Sequence, residues 1–370
     1  MTAIHTMDDL RQLQAMPLSI KIRMTEQRIR EWVREYGEEG VYVSFSGGKD
    51  SATFLDIIRN RMGYENIPAV FIDTGLEYPE IRDFVKTFDN VVWLKPEITF
   101  KAVIRKYGYP FISKRVCDSL FYTQKKIKDT GAKTEEEFLN LDINALDERM
   151  AMLSGRYNEW FKNRNGRSAS KSGKETRSQK KYLFMAFGEY RFTSQCCDVM
   201  KKNPIKKYAK ESGRVGITGQ MASESNLRLD QWLKHGCNAF DLENPISNPL
   251  SFWTEQDVLK YIKENGVKIA SVYGDIVPDY DDEQCDGQMS IEDLGLIPDR
   301  RRLKLTGCQR TGCMFCGFGC HLDDDQRFVM MQKTHPKQYE YIMKPVSEGG
   351  LGYKEIIDWL NEHGDLHIQY

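Results

Sequence analysis

Two short stretches carry most of the side chains that can do chemistry. In the first, Ser46, Gly47, Gly48, Lys49, Asp50 and Ser51 stand between an apolar run, Val41 to Phe45, and a helical pattern, Ser51 to Asn60. The glycines let backbone approach a ligand closely, the amides of a helix start point at one spot, and Lys49 adds a full positive charge. Such a turn suits an anion. Ser46 and Ser51 can donate hydroxyl hydrogen bonds, while Asp50 either caps the helix or recruits a cation such as Mg2+ for bound phosphates. The turn is not a Walker A loop, because Val43 stands where that pattern needs Gly and Asp50 where it needs Ser or Thr.

The second stretch is TGCQRTGCMFCGFGCH, Thr306 to His321, with Cys308, Cys313, Cys316 and Cys320. The chain has nine cysteines, and Cys196 and Cys197 form an adjacent pair. In a reducing compartment, clustered thiols point to metal or redox chemistry rather than to disulfides. Zinc is possible from ligand number, but zinc modules usually bring two separated ligand pairs. A compact, Gly-punctuated run favours an iron–sulfur cluster, with zinc the second choice. Cys117, Cys237 and Cys285 stand alone and read as small structural residues.

Positioning these groups requires strands that deliver them. A helical face runs through Ile22, Ile29, Trp32, Val33 and Tyr36; Val41 to Phe45, Ala69 to Thr74 and Val91 to Pro96 read as strands, separated by helical patterns. Alternation of this kind predicts an α/β fold with a doubly wound, mostly parallel sheet, whose ligands sit beyond the carboxyl ends of its strands. Ser46, Asp73 and Thr74 fall at such ends. The alternation stops over 113–193, read as a helical insertion in which Thr134 to Glu137 has the form of a capping box. It resumes at Arg214 to Gly219, and Thr254 with Asp257 caps a further helix. An acidic stretch, Asp275 to Asp286, is expected to be irregular, and Asp323 to Ile342 helical. The expected organisation is an N-terminal helical segment (1–40), a nucleotide-type α/β domain (41–270) and a Cys-rich, mainly helical C-terminal region (271–370).

A net charge of −1 over 370 residues, 29% of them charged, describes a soluble globular chain and leaves nucleic-acid binding to local patches. One such patch is the basic loop 162–181, with Lys162, Arg164, Arg167, Lys171, Lys174, Arg177, Lys180 and Lys181. It reads equally as a solvated insertion or as a surface for phosphate backbones. Without an apolar span or a secretion signal, no membrane association and a cytoplasmic location are expected.

The turn SGGKDS resembles the signature of the PP-loop ATP pyrophosphatase, or adenine-nucleotide alpha-hydrolase, superfamily. Within it the chain is most similar to the phosphoadenosine-phosphosulfate (PAPS) reductase family, through FIDTGLEYPE (Phe71 to Glu80), ITGQMASESNLR (Ile217 to Arg228) and NPLSFWTEQDVLKYI (Asn248 to Ile262). The resemblance implies that Ser46 to Ser51 cradle phosphates or sulfate, that Asp73 and Thr74 lie near the adenosine, and that Gly219, Glu224 and Arg228 close the site. The adenylylsulfate (APS)-reducing branch holds a 4Fe-4S cluster with a Cys-Cys pair and a distant Cys-x-x-Cys, which Cys196–Cys197 and Cys313–Cys316 resemble. A self-contained set of Cys308, Cys313, Cys316 and Cys320 is equally constructible, and resembles sulfur-handling proteins of DNA phosphorothioate modification.

Two departures divide the functional expectations. The family's C-terminal Glu-Cys-Gly-x-His nucleophile is missing, so either Cys320, its pKa lowered by its surroundings, attacks sulfur, or the reductase step is absent. The intact Lys49 resembles members that split ATP between the α and β phosphates rather than reductases. The chain is therefore expected to be an iron–sulfur enzyme acting on PAPS, APS or ATP with a thiol reductant or sulfur-donor protein. The alternatives are an ATP-dependent sulfurtransferase acting on tRNA or DNA, with Lys49 and Asp50 at the reacting phosphates, and a non-catalytic nucleotide sensor.

Overall fold

The computed structural model describes residues 4–168, 178–279, 302–322 and 325–370. Cys285, residues 280–286 of the acidic stretch, and Lys171, Lys174 and Arg177 lie outside them. Four apolar runs form the strands β1 (Val41–Ser44), β2 (Ala69–Ile72), β3 (Val91–Leu94) and β4 (Val215–Thr218). They pair in parallel in the order β3-β2-β1-β4, with Val43 opposite both Ala69 and Ile217 and Ala69 opposite Val91. The α/β fold with a parallel sheet follows the alternation of the sequence. The chain runs outward from β1 through β2 to β3, then returns to the other side of β1. That reversal leaves a crevice beyond the carboxyl ends of β1 and β4, where ligands of such sheets bind.

Contacts divide the chain into two units, Met1–Lys95 with Pro204–Met314, and Pro96–Asn203 with Phe315–Tyr370. These limits differ from the sequence boundaries near 41, 113, 193 and 271, because the Cys-rich segment itself is shared between the units. The first unit holds the sheet. The helix Leu18–Tyr36 buries Ile22, Ile29, Trp32 and Val33 against it, and the helix Lys49–Asp56 continues into a π turn, Ile57–Arg61. The helix Glu255–Asn265 has the expected reciprocal cap between Thr254 and Asp257. Of the stretch Asp275 to Asp286, expected to be irregular, residues 275–279 are described, and Ile276–Pro278 within them is a short strand. Ile276–Pro278 pairs antiparallel with Leu303–Leu305, since apolar residues between the acidic flanks still have a partner to cover them.

The second unit is mainly helical, its longest helix being Lys114–Thr130. Thr134 caps the helix Glu135–Leu139 as expected, but only half of the capping box forms, because the Glu137 carboxylate accepts the Lys133 amide instead. A parallel pair, Phe111–Ile112 with Gly317–Phe318, ties the insertion to the C-terminal region. The helix expected up to Ile342 divides into Arg327–Thr334 and Pro336–Met343, because Pro336 starts a helix more readily than it continues one.

A buried ion pair locks the first unit. Lys21 Nζ donates to Asp257 Oδ2 at 2.7 Å and to the Gln14 carbonyl at 2.6 Å, while the Lys21 side chain is 2% exposed. Breaking such a pair from one side leaves a buried charge uncompensated and costs about 3–5 kcal/mol. Lys21→Met is therefore expected to lower unfolding stability in urea by about that amount. A loss below about 1 kcal/mol, the range of exposed pairs, would contradict the structural role.

Candidate functional site

The turn after β1 is built by contacts that leave little choice of residue. Gly47 has φ +72, and a Cβ placed there would stand 2.7 Å from both Ile81 and Val85, so the backbone closes down on the helix Pro79–Val85. Gly48 is the extended N-cap of the helix Lys49–Asp56 and gives it no side-chain cap. The hydroxyls brace the turn from within. Ser51 Oγ donates to the Gly48 carbonyl at 2.9 Å and accepts the Ser46 amide at 3.2 Å, and the Ser46 and Ser51 oxygens are 3.1 Å apart. The Lys49 amide, at the helix start, donates to Tyr273 Oη at 3.0 Å.

Lys49 sits in this turn as a cation almost withdrawn from water. Its Nζ pairs with Glu255 Oε1 at 3.1 Å and Asp50 Oδ1 at 3.5 Å, and donates to the Gln309 carbonyl at 3.4 Å. Burial works against the ammonium, but Asp50 and Glu255 outweigh it and raise its pKa, so it stays charged. Burial raises the Asp50 carboxyl pKa, Lys49 opposes that, and Glu224 adds to it. Asp50 thus pairs with Lys49 rather than capping the helix.

The remaining resemblance-derived residues lie in the same unit, each held by a neighbour. At the end of β2, Asp73 accepts from Arg82 at 2.8 Å, and Glu77 takes the Thr74 amide and hydroxyl at 3.0 and 2.7 Å. Beyond β4, Gly219 packs on Phe54 so closely that a Cβ would stand 2.8 Å from the Phe54 Cβ. Glu224 accepts the Met221 amide at 2.8 Å and pairs with Arg228. Sequence reading did not single out Glu255, Tyr273, Gln309 or Thr311, whose Oγ1 lies 2.5 Å from Tyr273 Oη. Glu255 stands in the first turn of the helix that Thr254 and Asp257 cap, but nothing local to Tyr273 or Gln309 signals a partner 224 or 260 residues away.

The cysteines divide with the units. Cys308 and Cys313 belong to the first, Cys196, Cys197, Cys316 and Cys320 to the second. Burial raises the Cys308 thiol pKa, against a hydrogen bond from Tyr78. In the second unit, burial pushes Cys320 up to about 12, and Arg327 and the Ile112 amide only partly offset it. Cys320 is 2% exposed, a poor state for a nucleophile. Cys197 is the opposite case. The Cys196 hydrogen bond pulls its pKa well below the thiol range, burial resists, and Lys114 and Lys201 add to the lowering. The fully buried Tyr353, whose hydroxyl donates to the Phe315 carbonyl at 2.5 Å, feels Cys316, Cys196 and Cys320 together after burial itself. Among the described residues, no group of three or more His, Cys, Asp or Glu side chains stands together as a metal site.

A thiol with a lowered pKa is largely thiolate at neutral pH, and its alkylation rate falls only when pH drops below that pKa. In metal-free protein at pH 7, iodoacetamide is expected to label the Cys196–Cys197 pair well before Cys320, as read by peptide mass mapping. Equal rates would contradict the thiolate assignment.

Residues 40–148 and 161–317 match the phosphoadenosine phosphosulfate reductase domain. An uncharacterised protein of Methanocaldococcus jannaschii is 32% identical over an alignment of 111 residues that covers 27% of this chain and 26% of that protein. The chain thus spans about a quarter of that relative's length. A solved phosphoadenylyl-sulfate reductase of Candida auris, in a phosphate complex, is similar at 16% identity and a TM-score of 0.32, over 73% of this chain and 92% of that one. The domain match takes in the turn after β1, the ends of β2 and β4, and the cysteines up to Cys316; the chain belongs to the phosphoadenosine phosphosulfate reductase domain family.

Proposed function

We propose that the chain is an enzyme of sulfur metabolism that binds an adenine nucleotide, ATP or an activated sulfonucleotide, in the turn Ser46 to Ser51. The observation that carries this reading is the buried, charged Lys49 beside a Gly47–Gly48 turn at the point where strand order reverses. Lys49, Ser46 and Ser51 hold the phosphate or sulfate end, and Asp73, Thr74, Gly219, Glu224 and Arg228 form the surrounding walls. Catalysis in such a cradle is positioning and charge stabilisation. Asp50 and Glu255 gather around one lysine, with Glu224 acting on Asp50, which favours a ligand arriving with its own Mg2+ and so supports ATP.

In the second unit, Cys196, Cys197, Cys316 and Cys320 are the donors suited to an iron–sulfur cluster, with zinc the second choice. One feature of their chemistry supports this: Cys197 has the thiolate character that a cluster ligand needs. When bound, a cluster supplies an electron reservoir. A second reading, docking of a nucleic-acid backbone, rests on the exposed Lys162, Arg164, Arg167, Lys180 and Lys181, with Arg164 over the Trp160 ring at 5.3 Å and Lys181 over the Tyr182 ring at 4.9 Å. No described helix is long and apolar enough to cross a membrane.

Anaerobically purified protein is expected to bind ATP or phosphoadenosine phosphosulfate in calorimetric titrations. Loss of one charge-assisted contact in Lys49→Met should weaken that ligand by about tenfold or more. Failure of both nucleotides to bind the native protein would overturn the assignment. Iron analysis of the same sample tests the cluster, and zinc without iron would reverse that choice.

A further inference from the structure

We propose that Tyr273 and Thr311 are ligand-binding residues of this site, their hydroxyls forming a clamp that donates to a phosphoryl or sulfuryl oxyanion held at the Lys49 amide. The inference rests on the reading of the Ser46 to Ser51 turn as an anion cradle. Its starting point is the buried face of Gly48, where no side chain stands. A Cβ built there would stand 3.2 Å from Tyr273 Oη, 3.3 Å from Ser46 Oγ and 3.5 Å from Thr311 Oγ1. Three hydroxyl oxygens from distant parts of the sequence therefore converge where the turn lacks a side chain. Tyr273 Oη lies 2.5 Å from Thr311 Oγ1 and accepts the Lys49 amide at 3.0 Å.

The pair is aimed by a stiff frame. The Gly307 and Cys308 amides donate to the Tyr273 and Val272 carbonyls, both at 2.9 Å. Gly274 has φ +65, and a Cβ there would meet Thr306 Oγ1 at 2.2 Å; one on Gly307 would meet the Val272 carbonyl oxygen at 2.4 Å. The two segments thus touch backbone to backbone, and Tyr273 is 2% exposed. A residue held this firmly keeps its hydroxyl in place.

The hydrogen-bond chemistry follows from what a hydroxyl can do. It has one proton and two lone pairs, so an oxygen already accepting an amide still has its proton to give. In this structure Tyr273 Oη takes the helix-start amide as a neutral acceptor would. A charged phosphoryl or sulfuryl oxygen is a stronger acceptor for the same N–H. Once that oxygen occupies the position, the Tyr273 and Thr311 protons turn to it. Burial raises the Tyr273 pKa, against the Thr311 and Lys49 hydrogen bonds, which keeps the phenol protonated and able to donate.

The test is calorimetric titration of the full chain with ATP, phosphoadenosine phosphosulfate, adenosine and inorganic pyrophosphate. Native protein, Tyr273→Phe and Thr311→Val are compared, with thermal melting as the check on folding. Each variant is expected to bind whichever anionic nucleotide the native protein takes about tenfold more weakly, with adenosine affinity unchanged. ATP and the sulfonucleotide serve as separate arms because either could carry the oxyanion. Thr311→Val leaves the Lys49–Tyr273 contact in place, so it reads the clamp even if Tyr273→Phe is unstable. Unchanged or tighter binding of the anionic nucleotide by a folded variant overturns the clamp. If the native protein binds no nucleotide, the cradle reading fails by itself. Pyrophosphate then decides the clamp: weaker binding in both variants keeps it, and equal or absent binding removes it.

Discussion

The ammonium of Lys49 has to remain charged in a place where water hardly reaches. An unpaired ion there would cost several kcal/mol, so the surroundings must supply counter-charge in fixed positions. Asp50 comes with the turn, but Glu255 stands at the start of a helix far along the chain and must be delivered. The first unit is organised around that delivery. Thr254 and Asp257 cap the helix that carries Glu255, Lys21 anchors Asp257 from the N-terminal helix, and Tyr261 donates to Asp56 at 2.8 Å. A cap, a buried ion pair and a tyrosine contact, each ordinary alone, hold one carboxylate against one lysine.

The same requirement explains what could be read in advance. The sheet was legible because apolar runs of four residues, bounded by glycine, proline and charged turns, leave few other arrangements. The turn was legible because Gly47 and Gly48 precede a lysine at a helix start. The groups that complete the site were not legible, because each is chosen by a contact across hundreds of positions. Tyr273 looks like a core aromatic and Thr311 like a spacer between cysteines. Their hydroxyls gain meaning only when the backbone of 306–308 packs on that of 272–274. The half-formed box at Thr134 shows the same limit on a smaller scale. Glu137 has the right spacing, but a nearer amide at Lys133 takes its carboxylate.

The Cys-rich run crosses the division between the two units. As a string, Cys308 to Cys320 looks like one metal-binding module. By contacts, its first two cysteines belong with the sheet, where the Met314 amide donates to the Leu76 carbonyl at 2.8 Å; the last two belong with the helical unit through the pairing of Gly317 and Phe318. Gly317 permits this because a Cβ there would stand 2.8 Å from the Pro110 carbonyl oxygen. Local spacing therefore says which residues are chemically able to bind a group, and packing says in which unit each of them folds.

That distinction bears on the choice between the two chemistries the family suggests. Reduction of a sulfonucleotide by direct attack needs an accessible thiolate, and the cysteine nearest to the missing C-terminal motif, Cys320, is buried and held as a thiol. The thiolate character instead lies at Cys197, which a hydrogen bond from its neighbour and two lysines stabilise. The proposed anion cradle would need no thiol. Its lysine stays charged through Asp50 and Glu255, and its hydroxyls already stand where an oxyanion would be received. Of the two halves of the proposed chemistry, nucleotide binding is supported by a site whose groups are already in register. Sulfur transfer depends on thiols whose roles are set by burial and pairing rather than by their place in the sequence.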